Sequence, residues 1–391
     1  MRILIANDTF YPDLNGSAYF THRLATYFIK RGHEVLVIAP SLSFRHERSV
    51  RAGVPVFGLR SFPIMHYAGF RTTLPFFFKK TLTRVIQEFQ PDIVHIQGHF
   101  IIGRNVAKIA RKLGVKVMGT NHFMPENLVF YLHLPNFIEE WIKRVAWRDF
   151  RKIYEKLDLI TTPTQTAANL VKKYGFSKDI LPISNGIDLV KFHPGADGGY
   201  LKERYGVKGN RPILLFVGRL DKEKNVDFVL QALAKMDQII APHFFIAGKG
   251  FMEEKWKKLA NDLGLAERVT FAGFVPDEDL PFLYRIADVF INAGTAELQS
   301  LVVMEAMATG LPVIGVNATA LPELIHDGEN GFLFNEGDLD RLVSCLNQMF
   351  EDASLLGRFS KKSLEIIKNH DIEKIISTFE SLYRGLNPAA S

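Results

Sequence analysis

Cysteine is nearly missing from this chain: Cys345 is the single one in 391 residues. A disulfide framework and a cysteine-based zinc site are thereby excluded, and the lone thiol fits a reducing, cytoplasmic setting. Long apolar runs are missing too. No stretch approaches the roughly 20 apolar residues that a membrane-spanning helix needs. The chain opens on a short apolar run, Ile3-Leu4-Ile5-Ala6, that stops at Asn7 and Asp8. It reads as a buried strand, without the apolar core or cleavage site of a secretion signal. There is no Walker-type phosphate loop and no Gly-x-Gly-x-x-Gly, since Gly248-Lys249-Gly250 lacks the third glycine. Both absences count against an ATPase and a dehydrogenase. No zinc-ligand spacing occurs, and Asp338-Leu339-Asp340 stands where a helix should begin, so it reads as a cap rather than a metal site. We expect no metal. Disorder is excluded by composition, with 47% apolar and only 23% charged residues.

What is present is a long, two-part pattern. At roughly 100–200 residues per domain the length implies two domains. Charge divides unevenly between them. Residues 1–190 carry 26 Lys and Arg against 14 Asp and Glu, a net +12; residues 191–391 carry 22 against 28, a net −6. The basic half fits an anionic partner, nucleic acid or an anionic membrane surface, or else a basic surface that is simply solvated. In the first half, strands are expected at Arg2–Ala6, Glu34–Ala39, Pro91–Ile96, Lys116–Thr120 and Leu159–Pro163, with helices at Ala18–Arg31, Thr81–Phe89 and Gly103–Leu113. The alternation restarts at Pro212–Gly218 and continues through Asn225–Lys235, His243–Ala247, Glu253–Leu263, Val269–Ala272, Val289–Asn292 and Pro312–Val316. Strands alternating with helices imply parallel sheets, hence an α/β protein of two Rossmann-like domains in series. Turn signals near 188–198 mark the boundary. Ligands in such sheets bind beyond the carboxyl ends of the strands.

Four loops at those ends carry candidate chemistry. The loop after the first strand reaches Asn15-Gly16 just before a helix, where backbone amides could meet a phosphate or merely form a cap. Gly218-Arg219-Leu220-Asp221-Lys222-Glu223-Lys224 sets Arg219 and Lys224 beside the next helix. Two cations there suit a diphosphate, though a solvated charged loop has the same look. The run Glu297-Leu298-Gln299-Ser300-Leu301 leads into a helix of about ten residues that carries Glu305 among Val, Met and Ala. A carboxylate in that company needs hydrogen-bond donors, which a ribose or a structural salt bridge would supply. His122 follows another strand and either meets a sugar hydroxyl or has a structural part.

Glu297 and Glu305 stand in a Glu-x7-Glu arrangement. With EAMATGLPVI, GRLDKEKN, SNGID and an opening strand-loop-helix that ends RGHEV, the chain resembles the retaining glycosyltransferases of family 4, over roughly residues 1–370. The resemblance implies the GT-B fold: two Rossmann-like domains facing across a cleft, 1–190 for the acceptor and 191–370 for the nucleotide-sugar. A final helix near 371–385 would cross back, so that 371–391 packs on the first domain. It implies that Glu305 binds the ribose and that Glu297, with the backbone of Leu298, Gln299, Ser300 and Leu301, contacts the transferred sugar. Arg219 and Lys224 match the diphosphate pair, Gly16 a loop glycine near the phosphate, and His122 a histidine near the sugar. Phe274 and Val275 match the loop that contacts the base.

Many members have Gly-Phe-Gly where this chain has Leu298-Gln299-Ser300. The Gln resembles a variant of diacylglycerol glucosyltransferases. Asn15-Gly16-Ser17 likewise replaces a double glycine. The expectation is a cofactor-free hexosyltransferase, with a UDP-glucose-type donor favoured over GDP-mannose and a lipid or glycan acceptor. A sugar-nucleotide epimerase or phosphorylase on the same fold is the rival. Nucleic acid is not expected, because the second half is acidic and no nucleic-acid motif occurs. Residues 62–84, with Phe62, Phe70, Phe76, Phe77 and Phe78 among Arg and Lys, and 137–156, with Phe137, Trp141, Trp147 and Phe150, suit peripheral docking on the inner face of a membrane, or helices packed on the sheet.

Overall fold

A computed structural model describes residues 1–13, 15–63, 71–73, 78–124, 136–195, 197–207, 209–237 and 240–388. The chain divides into two compact units, Met1–Asn185 with Glu373–Ser391, and Gly186–Ile372. The division falls at Asn185, ahead of the His193-Pro194-Gly195 turn that the sequence marks. The two passages of chain are tied side by side there, Ile187 N donating to His370 O (2.7 Å) and Ile372 N to Ile187 O (2.9 Å).

In the first unit β1 (Arg2–Ala6), α1 (Gly16–Lys30), β2 (Glu34–Pro40), β3 (Glu47–Arg51), β4 (Val54–Leu59), β5 (Ser61–Pro63), β6 (Arg71–Thr73), α2 (Lys79–Phe89), β7 (Ile93–Ile96), α3 (Ile101–Lys112), β8 (Lys116–Thr120), α4 (Asn136–Tyr154), β9 (Leu159–Thr162), α5 (Gln165–Lys173) and β10 (Leu181–Pro182) follow in order. Eight strands form one sheet in the order β10-β9-β8-β7-β1-β2-β4-β3. All neighbours in it are parallel except β3 with β4. The central strands are apolar without alternation, Ile3 to Ala6 being fully buried, as a sheet covered on both faces demands. Helix α1 buries Ala18, Thr21, Leu24, Ala25 and Phe28, one face at helical spacing.

Several elements differ from the sequence expectation. Helix α3 starts at Ile101, two residues early, because Asp8 at the end of β1 accepts from Ile102 N (2.7 Å) and Gly103 N (3.3 Å). That cap comes from across the sheet. The β3–β4 hairpin turns through Ala52 and Gly53, with φ of 45° and 81°; alanine rarely takes that conformation, so no turn signal showed.

The second unit holds α6 (Tyr200–Arg204), β11 (Ile213–Val217), α7 (Val226–Lys235), β12 (His243–Ala247), α8 (Glu253–Asp262), β13 (Val269–Gly273), α9 (Leu280–Arg285), β14 (Val289–Asn292), α10 (Leu301–Ala308), β15 (Val313–Val316), β16 (Gly331–Phe334), α11 (Leu339–Glu351) and α12 (Ala353–Ile367). Its six strands run β13-β12-β11-β14-β15-β16, all parallel. Both sheets thus have the doubly wound order, reversing between β11 and β14 and between β1 and β7. Those reversal points are where such sheets open a crevice for a ligand.

Helix α13 (Ile372–Leu386) lies, from Glu373 on, in the first unit. Ile376, Phe379 and Tyr383 are buried. Arg31 pairs with Glu373 at 2.6 Å and Glu380 at 3.1 Å. The expected return of the last helix to the first domain is therefore seen. Among the described residues no helix is long and apolar enough to cross a membrane.

Candidate functional site

The reversal point of the second sheet gathers four of the expected residues. After β11 the chain is pressed against the loop after β12. Leu220 N donates to Lys249 O (2.9 Å), and Met252 N to Leu220 O (2.9 Å). A Cβ on Gly248 would lie 1.8 Å from the Gly218 carbonyl oxygen, and one on Gly250 2.4 Å from that of Leu220. The Gly-x-Gly is thus a loop-to-loop contact. It holds up the segment bearing Arg219 and Lys224. The Arg219 guanidinium sits 2.7 Å from Asp221 and 3.3 Å from Glu223. Lys224 ends a short 3-10 turn, Lys222–Lys224, and Asn225 follows at φ 48°. Asn225 Nδ2 donates to Ala293 O (2.9 Å) and Thr295 N to Glu223 O (3.3 Å), which fasten the loop after β11 to the loop after β14.

Across that seam Lys224 Nζ meets Glu297 Oε1 at 2.7 Å. Gly294 lies between them; a Cβ there would come 2.9 Å from Asn292 Oδ1 and 3.3 Å from Lys224 Cδ. Glu297 is held by its backbone, its N–H donating to Thr319 Oγ1 (3.2 Å) and its carbonyl accepting from Ala320 N (3.3 Å). Asn292 Nδ2 donates to Ser300 Oγ (3.0 Å), and the Ser300 hydroxyl does not cap α10. The N-terminal end of α10, where the helix dipole is positive, thus follows directly on Glu297-Leu298-Gln299-Ser300. Leu298 and Leu301 are half-buried, and Gln299 and Ser300 are buried.

Glu305 lies farther along α10, half-buried. Its Oε2 accepts from the Tyr284 hydroxyl at 2.8 Å. Tyr284, on α9, is fully buried, and burial together with the Glu305 charge holds its phenol well above the ordinary range. Sequence reasoning did not single out Tyr284, and nothing in Pro281-Phe282-Leu283-Tyr284 marks it. Phe274, half exposed, and Val275, buried, follow β13 at the same end of the sheet. Asp338 accepts from Arg341 N (3.0 Å) as the cap of α11, the reading its position suggested.

Gly16 and His122 belong to the first unit, at the other reversal point. Asn15 caps α1, its Oδ1 accepting from Ala18 N at 2.9 Å. A Cβ on Gly16 would meet no protein atom within 4 Å. His122 Nε2 lies 2.9 Å from Gln97 Oε1, and its ring centroid 4.9 Å from that of Phe20. Burial drives the imidazole down to about 3. His95, fully buried on β7, is likewise pushed to about 3 by burial and by His122. Asp8 is raised to about 6 by burial, against the opposing pull of the α3 amides.

Helix α4 divides the aromatic residues of 137–156 between two environments. Trp147, Phe150 and Tyr154 are buried, whereas Phe137, Trp141 and Val145 are 75%, 64% and 46% exposed. Arg144, Arg148 and Lys152 are exposed beside that apolar stripe. In 62–84, Phe78 is buried, and Phe70, Phe76 and Phe77 lie outside the described residues.

Doubly wound parallel sheets in two units define an α/β class of protein with two Rossmann-like units, and comparison with known proteins narrows it. Residues 14–191 match the model "Glycosyltransferase Family 4" and residues 200–366 the model "Glycosyl transferases group 1". The chain belongs to these glycosyltransferases and has the GT-B fold. It is 26% identical to the alpha-monoglucosyldiacylglycerol synthase of Acholeplasma laidlawii, over 99% of this chain and 97% of that one. It is 29% identical to a GDP-mannose-dependent alpha-mannosyltransferase of Mycobacterium tuberculosis, over 93% and 92%. Among solved structures it resembles a sucrose-phosphate synthase of Thermosynechococcus elongatus (TM-score 0.80, 20% identity, all of both chains) and Anabaena HepE with UDP (TM-score 0.79, 19% identity, 98% and 100%).

Proposed function

We propose that this glycosyltransferase moves a hexose, from a UDP-glucose-type donor, onto a hydroxyl of a membrane lipid such as diacylglycerol, with retention of the α configuration. The observation that carries the donor half is the seam at the β11/β14 reversal, where the loop bearing Arg219 and Lys224 is fastened to the loop that leads through Glu297 into α10. A departing nucleotide diphosphate gains negative charge as the glycosidic bond breaks. Preorganised cations and amides aimed at that charge lower the barrier. Arg219, Lys224 and the α10 amides take that part, with no metal assigned to it. Glu305 accepts from the two ribose hydroxyls, and Tyr284 holds its carboxylate in place. Phe274 offers an exposed ring to the base. Glu297 orients the transferred sugar. The bond to the acceptor forms on the face from which the diphosphate leaves, and a leaving phosphate oxygen takes the acceptor's proton. Retention by two carboxyls would need them about 5–5.5 Å apart on either side of the bond; Glu297 is engaged by Lys224 and Glu305 by Tyr284.

The name of the synthase relative supports glucosyl transfer to a diacylglycerol lipid, and that of the mannosyltransferase relative supports GDP-mannose as the donor of the second reading, whose acceptor would be phosphatidylinositol or a polysaccharide. Calorimetric titration of UDP and of GDP, in EDTA, separates them. Wild type binds UDP and Glu305→Ala loses at least tenfold in affinity. Tight binding of GDP alone shifts the donor to GDP-mannose, and binding of neither overturns the proposal.

A further inference from the structure

At the first unit's reversal point His122, which the resemblance sets near the sugar, has two neighbours that the resemblance did not assign, Gln97 and Asn121. Gln97 steps off the end of β7, held to β1 by Gln97 N donating to Ala6 O at 2.8 Å. Strand β8 runs beside β7 with Ile96 opposite Gly119, so Gln97 comes level with Thr120, just ahead of the Asn121-His122 step. Gln97 and Asn121 are each 2% exposed. Gln97 Oε1 faces His122 Nε2 at 2.9 Å, and Asn121 Oδ1 accepts from Phe123 N at 2.9 Å. Their amide nitrogens, Gln97 Nε2 and Asn121 Nδ2, are buried without a hydrogen-bond partner among the described residues. Buried amide donors are ordinarily satisfied, so an unpaired couple at a ligand-binding edge marks a place for acceptor atoms from outside the chain.

We propose that Gln97 is the positioning residue for His122: its side-chain oxygen fixes the Nε2–H tautomer, leaving Nδ1 as a lone-pair acceptor at a sheet edge that also carries the unpaired Gln97 and Asn121 amide donors. The set is matched to the hydroxyls of a neutral sugar or polyol. A hydroxyl both donates and accepts, and here it finds one acceptor and two donors. A phosphate or carboxylate only accepts, and the Nδ1 lone pair would oppose it. The neighbouring imidazole cannot substitute. His95 spends both nitrogens, Nδ1 on Tyr383 Oη (2.6 Å) and Nε2 on Thr120 Oγ1 (2.6 Å). The partner of one ring nitrogen decides what the other can do. The inference deepens the proposed function by naming what the first unit's reversal point recognises, and it rests on that reading only for the substrate.

The test reads the tautomer directly, by long-range proton–nitrogen NMR on the full chain with 15N-histidine at pH 7.5. Loss of one spin system in His122→Asn assigns the ring. Expected are Nε2–H and a bare Nδ1 in wild type, a mixture in Gln97→Met, and return of the wild-type pattern in Gln97→Glu, which keeps an oxygen acceptor. Gln97→Met should also lower kcat/KM for transfer at least tenfold, with kcat affected as well as KM. An Nδ1–H tautomer in wild type overturns the proposal whether or not any variant folds, as does a wild-type tautomer and rate in Gln97→Met. Failure of the donor titration leaves the tautomer measurement standing, so the two readings fail separately.

Discussion

Lys224 and Glu297, 2.7 Å apart, hold each other across the seam between two loops. Together with Arg219, Asp221 and Glu223 they form a group of two cations and three carboxylates. Such a group carries a net negative charge, so a diphosphate can be accepted only when the cations turn from their carboxylates toward it. Glu297 is then both orienting group and competitor. Glu297→Gln keeps the shape and releases Lys224. Even a solvent-exposed ion pair is worth up to about 1 kcal/mol, or roughly fivefold in affinity, and this pair is largely buried. UDP should therefore bind a few-fold more tightly to Glu297→Gln, while turnover falls at least tenfold; Lys224→Met should weaken UDP. Equilibrium titration beside steady-state rates checks this, and weaker UDP binding by Glu297→Gln would contradict it. At this scale one residue type in one loop was enough to single out Arg219, Lys224, Glu297 and Glu305, and the structure sets Lys224 against Glu297. It was silent on Tyr284, Gln97 and Asp8. Their importance lies in partners 21, 25 and 94 positions away.

Glycines separate two kinds of element constraint. At Gly250 a Cβ would fall 2.4 Å from backbone of the loop after β11, so Gly250→Ala must move the segment that carries Arg219. Overpacking of this sort costs about 1–3 kcal/mol, or several degrees in the melting temperature of a unit this large. At Gly16 nothing lies within 4 Å, and φ is not positive. Gly16→Ala in the first turn of α1 should leave melting unchanged or slightly raised. If its amide approaches the donor phosphate, the same methyl lowers kcat/KM severalfold. Calorimetric melting beside kinetics distinguishes the two positions, and a large loss of stability in Gly16→Ala would refute the assignment. The parallel strands were legible because sheets covered on both faces leave continuous apolar runs. The β3–β4 hairpin was not, since Ala52 carries no turn signature, and α3 began early because its cap, Asp8, is distant in sequence.

Over the whole molecule, the charge imbalance between the halves acquires a location. The net +12 of residues 1–190 includes a stripe on α4, Arg144, Arg148 and Lys152, parallel to the exposed stripe Phe137, Trp141 and Val145. Both recur every four residues, so a single helix face presents apolar side chains beside cations. The opposite face, with Trp147, Phe150 and Tyr154, is committed to the core. A water-exposed tryptophan beside arginines has little to gain in solution and much to gain at a headgroup boundary, where its ring and the cations are satisfied together. A lipid acceptor places its reactive hydroxyl at that same boundary. Each basic residue near an anionic surface contributes about 1 kcal/mol, and the attraction decays within a Debye length. Vesicles containing phosphatidylserine should therefore sediment the wild-type protein at low salt and release it as salt rises. Arg144→Glu with Arg148→Glu should lower the partition at least tenfold. Trp141→Ala should lower it less and leave the salt dependence intact, because it removes area rather than charge. Equal partition of wild type into neutral and anionic vesicles would show that the stripe is ordinary solvated surface, and the soluble-glycan acceptor would then take the place of the lipid.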